Sequence, residues 1–109
     1  RSTLFPYTTL FRSPYRVANA ISTGQAASPQ VVRNARRIVA DDHDQDVVFT
    51  PVLRLKDTDY ALELARGLGM GAPFGRVAAR QLQQLIELGH AGVNESKIIE
   101  VARLERAEA

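Results

Sequence analysis

The chain has no cysteine and no tryptophan. The first absence excludes a disulfide framework, a thiolate nucleophile and any cysteine-based zinc site, and it fits a reducing, cytoplasmic setting. Histidine is scarce, at two residues, so an imidazole metal cluster has almost nothing to be built from. No apolar run approaches the length needed to cross a bilayer, so no membrane partner is expected. Initiating methionine is also missing, because the chain opens on Arg1. One reading frame of a widely used short-read sequencing adapter encodes Arg1 to Ser13 without a mismatch. Residues 1–13 are therefore expected to be a translated adapter artefact, to be excluded from fold reasoning. The protein proper is expected to occupy 14–109, with its upstream coding sequence lost.

That exclusion changes the charge balance. The whole chain carries 14 Lys and Arg against 12 Asp and Glu, a formal net charge of +2. Removing Arg1 and Arg12 leaves 12 basic residues against 12 acidic ones. A sequence pI near 9.4 would ordinarily suggest a nucleic-acid partner. Here the surplus lies in the adapter, so no nucleic acid is expected. The length of 14–109 suits one small domain around one core.

What remains reads as helical almost throughout. A first helix is expected over roughly Arg16 to Ser22, with Gly24 as terminator. Ser28-Pro29 reads as an N-cap followed by proline in the first turn, ahead of the stripe Val31, Val32, Ala35, Ile38 and Val39. Asp41 to Asp44, His43 included, reads as a solvated acidic loop. Val47-Val48-Phe49 is a short strand or an extended lead-in to a third helix opened by Phe49-Thr50-Pro51. Its later part repeats Ala61, Leu64, Ala65 and Leu68 on one face. A fourth helix follows Ala72-Pro73, with Phe74, Val77, Ala78, Leu82, Leu85 and Ile86 on one side. Asn94 is an expected N-cap for a last helix through Ile98, Val101 and Ala102. The fold class is all-α, with about five helices.

Several patterns resemble functional motifs without meeting their requirements. Gly67, Gly69 and Gly71 follow a helix, whereas a phosphate-cradling fingerprint follows a strand, so they read as a helix stop and a turn. His43 and His90 stand without a second ligand nearby and are expected on the solvated surface. Asp41, Asp42, Asp44 and Asp46 lack the glycine and closing glutamate of an EF-hand loop. The unusual segment is Arg54-Leu55-Lys56-Asp57-Thr58-Asp59-Tyr60, where Lys56 and Tyr60 form an i,i+4 pair. On residue chemistry alone its default role is a solvent-facing helix surface.

Phe49 to Leu62 resembles the F-x-x-x-L-x-x-K-D-x-x-x-A signature of the β-hydroxyacid dehydrogenases. This family includes 3-hydroxyisobutyrate dehydrogenase and 2-hydroxy-3-oxopropionate reductase. Ile21 to Ser28 resembles its G-x-a-x-S stretch, and Gly69 to Pro73 its G-x-x-x-P turn. Gly89 to Ile99 resembles its closing element, here with Asn94-Glu95-Ser96 where many members carry aspartate before the serine. The resemblance implies the all-α C-terminal domain of a 6-phosphogluconate dehydrogenase-like, 3-hydroxyisobutyrate dehydrogenase-like protein. It implies NAD or NADP as cofactor, a small hydroxy acid or semialdehyde as substrate, and a homo-oligomer when intact. It also implies that the N-terminal Rossmann domain and the catalytic lysine are missing, leaving no catalytic residue and no metal ligand in this fragment. Lys56 would reach the cofactor near its nicotinamide end, and Asp57 and Phe49 would line the same cleft. The three should then share one cleft-facing surface, beside an apolar face left bare by the missing domain. The competing reading is a small helical interaction or DNA-binding module without catalysis.

Overall fold

A computed structural model describes residues 14–108, and side chains through residue 105. The adapter-like run lies outside the described residues. The described residues form five α-helices and one 3₁₀ turn: α1 (Pro14–Thr23), α2 (Pro29–Ala40), α3 (Pro51–Gly67), α4 (Pro73–Glu87), the turn Glu95–Ile98, and α5 (Ile99–Glu108). No strand occurs among the described residues, and Val47-Val48-Phe49 is an extended lead-in. No helix of the described residues is long and apolar enough to cross a membrane.

The helix ends follow local chemistry. Each of α1 to α4 starts on a proline, whose missing N–H would have had no partner there in any case. Ser28 Oγ accepts from Val31 N at 3.2 Å, and Thr50 Oγ1 accepts from Leu53 N at 3.2 Å. Three helices end in the same motif, in which two successive N–H groups reach back to carbonyls of the last turn. For α3 these are Gly69 to Arg66 and Met70 to Ala65; for α4, Gly89 to Ile86 and His90 to Leu85. The left-handed residue is Gly69 at φ 71° and Gly89 at φ 97°, where glycine carries no Cβ penalty. At the end of α2 the same place is taken by Asp41 at φ 53°.

The chain divides into two compact units, one ending at Asp42 and the other beginning at His43. In the first, α1 and α2 pack against each other. In the second, α3 packs chiefly on α4, and the 3₁₀ turn and α5 close over α4. The core of this second unit is small: Leu82, Leu85 and Val101, with Pro51 buried beside them.

The buried side of α3 runs through Pro51, Leu55, Thr58, Leu62 and Ala65. The row expected from the sequence lies roughly a quarter turn away, and Leu64 and Leu68 of that row are each 66 % exposed. Apolar residues occupy two sides of α3, and α4 covers only one. The same holds for α4, where Leu82 and Leu85 are buried but Phe74 is 88 % exposed and Val77 is exposed as well. Gly75 of α4 lies close against α3, since a Cβ there would stand 3.0 Å from Leu62 Cδ2.

Candidate functional site

The residues around the Lys-Asp pair are organised by a polar network joining the loop before α3 to the loop before α5. Two backbone bonds lay these segments side by side: Asn94 N donates to His43 O at 2.8 Å, and Glu95 N to Phe49 O at 2.8 Å. Asn94 Oδ1 then accepts from Val48 N at 3.2 Å and Phe49 N at 3.4 Å, and its Nδ2 donates to Ser96 Oγ at 2.8 Å. His43 Nδ1 lies 2.7 Å from the same hydroxyl. His43, Asn94, Glu95 and Ser96 are all buried.

Two sequence readings are corrected here. His43 is not a solvated surface residue: it is 3 % exposed, because the two loops fold over it and Ser96 supplies a polar partner. Asn94 precedes the 3₁₀ turn as expected, but makes no side-chain capping bond to it. Its amide is committed instead to the backbone ahead of α3. Nothing local signals either arrangement, since the partners are 45 to 53 positions apart.

Arg54 is the further residue that sequence reasoning passed over. Its Nε donates to Glu95 Oε1 at 2.6 Å and its Nη2 to Glu95 Oε2 at 3.1 Å, a two-point match of planar guanidinium to carboxylate. The Arg54 guanidinium carbon lies 4.3 Å from the centre of the Phe49 ring, within cation–π range. The hydrogen bond with Glu95 raises the Arg54 pKa above its ordinary value; partial burial opposes this, and the charges of Glu95 and Asp57 reinforce it. Arg54 is therefore a permanent cation anchored to a buried carboxylate.

Phe49 is half-buried under Arg54, at the entrance to α3. Lys56 and Asp57 lie in the second turn of α3, and both are exposed. Lys56 leans along the helix, with Nζ 5.9 Å from the Tyr60 ring centre. Asp57 is close enough to Arg54 for its charge to be felt. Arg54 thus packs against Phe49 and feels the charge of Asp57, while Lys56, two positions on, lies on the other side of the helix.

A separate open depression of about 580 Å³ lies further along α3, lined by Asp59, Leu62, Arg66, Met70 and Arg76 among others. Phe49, Lys56 and Asp57 lie outside it. Among the described residues no group of His, Asp and Glu could hold a metal ion.

The described residues thus form an all-α domain with an exposed Lys-Asp pair on α3. The family model for NAD-binding of NADP-dependent 3-hydroxyisobutyrate dehydrogenase matches residues 13–102. The chain belongs to that family, as an all-helical NAD(P)-binding domain of an oxidoreductase. No curated protein matches the chain.

Proposed function

We propose that this chain is the helical half of an NAD(P)-dependent β-hydroxyacid dehydrogenase, acting on a small β-hydroxy acid or on the corresponding semialdehyde. In this reading Arg1 to Ser13 is adapter sequence. The catalytic lysine and the Rossmann domain belong to a preceding part of the protein. The fragment is inactive alone, and the intact enzyme is a cytoplasmic homo-oligomer.

The observation that carries the reading is the family match combined with Lys56, an exposed ammonium on a helix start held by two buried polar residues. The donor set fits a nicotinamide dinucleotide. Lys56 offers a flexible cation to polar oxygens. Phe49 provides an apolar wall that excludes water from a hydride-transfer site, and Asp57 orients neighbouring donors. When bound, the cofactor supplies the hydride acceptor for oxidation or the hydride donor for reduction. A bare apolar surface on α3 and α4, including Leu64, Leu68 and Phe74, suits a domain that docks on another.

Titration of NADH and NADPH into the isotope-labelled chain, followed by NMR, tests the reading. Shifts are expected to centre on Phe49, Lys56 and Asp57 and to be lost in Lys56→Ala. Unchanged binding in that variant would remove the assignment.

A further inference from the structure

We propose that Glu95 and Asn94 are positioning residues for the cofactor-facing segment Phe49 to Lys56, Glu95 acting through Arg54 and Asn94 through the amides of Val48 and Phe49. The inference rests on the reading of Lys56 given above and adds the residues that place it.

Burying a carboxylate is costly unless its lone pairs are matched, so a nearly buried Glu95 needs a structural reason. Its reason is Arg54, two positions before Lys56 on the same helix. A guanidinium held at two points cannot rotate about the helix axis without breaking both bonds. The Glu95–Arg54 tie therefore sets the rotation of the first turns of α3. Asn94 sets the other end of the segment. It holds two consecutive backbone N–H groups with one carbonyl oxygen, and the Glu95 amide holds the Phe49 carbonyl. Three consecutive buried residues, Asn94, Glu95 and Ser96, thus turn their side chains away from their own helix and toward the approach to α3.

Positioning matters because Lys56 is poorly fixed by its own contacts. Its ammonium touches only the edge of cation–π range at Tyr60, and its four-carbon stem is free to swing. The location of its backbone then decides where the ammonium can reach. A misplacement of about 1 Å can cost on the order of a hundredfold in a reacting geometry.

A double-mutant cycle with an independent dynamic readout tests this in the full chain. Glu95→Gln is expected to speed amide hydrogen exchange across residues 49–56, with α5 and the second half of α4 unchanged. It should also weaken NADPH binding by roughly five- to tenfold, the scale of one ordinary hydrogen bond. That weakening should vanish when Lys56→Gln is already present, because Glu95 acts through Lys56. Arg54→Lys keeps the charge but loses the two-point fork, and should reproduce the pattern should Glu95→Gln fail to fold. Unchanged exchange at residues 49–56 would overturn the proposal whatever the binding result. Equal weakening with and without Lys56 would overturn it too, by making Glu95 a general structural residue. If Lys56→Gln alone leaves NADPH binding intact, the cofactor reading of Lys56 fails and takes the proposal with it, while the exchange data still report on the clamp.

Discussion

Arg54 and Glu95 are 41 positions apart in sequence, yet they meet through two hydrogen bonds of 2.6 and 3.1 Å. The Glu95 side chain is 8 % exposed and that of Arg54 31 %. The pair therefore works in partial shelter from solvent, unlike Arg66–Glu63, where both side chains are largely exposed at 3.6 Å. Removing one partner should differ sharply between the two. Arg54→Met should lower unfolding free energy by about 1–3 kcal/mol, since it leaves a buried carboxylate unmatched. Arg66→Met should change it by less than about 0.5 kcal/mol. Urea denaturation of both variants checks the contrast.

The same pair makes a statement about pH. Because Glu95 raises the Arg54 pKa, the arginine contributes stability that is fully present below its unfolded-state value and is lost only as pH climbs through the higher folded value. The stability difference between wild type and Arg54→Met should therefore stay flat from pH 7 to 10. A difference that shrinks steadily across that range would contradict the linkage.

Ser96 is the shared partner of two buried side chains, His43 and Asn94. Ser96→Ala would leave both without it and should cost about 1–3 kcal/mol, a large effect for removing one oxygen. A thermal melt compared with that of Ser22→Ala, at a half-buried serine outside the network and expected to be near neutral, separates the network from a generic serine effect.

Burial also predicts opposite outcomes for two apolar residues on α4. Leu85 is fully buried, so Leu85→Ala should lose about 2–5 kcal/mol. Phe74 is 88 % exposed, so Phe74→Ser should leave the melt nearly unchanged while reducing self-association of the chain. Analytical ultracentrifugation of wild type and Phe74→Ser measures the second part.

Asp41 occupies a left-handed position that Gly69 and Gly89 fill elsewhere. Asp41→Gly should be neutral or stabilising by up to about 1 kcal/mol, and Gly89→Ala destabilising by a similar amount. Equal effects of the same sign in chemical denaturation would refute the end-of-helix reading.

Much of this protein can be read along the chain because its signals are short-range. Ser28, Thr50 and the prolines at positions 29, 51 and 73 start helices through contacts within three or four residues. Gly69 and Gly89 stop them by adopting a conformation that other residues resist. The Lys56-Asp57 pair, and the family it points to, are likewise visible in a run of a few residues. What the chain order cannot show is which of two apolar sides of α3 is covered, since Leu62 and Leu64 are equally hydrophobic. Only the arrival of α4, with Gly75 against Leu62, decides that. Nor can it show that His43 is buried, that Asn94 serves the backbone ahead of α3, or that Arg54 holds Glu95. Those partners lie 41 to 53 positions apart, and only the folded path of α3, α4 and α5 brings them together.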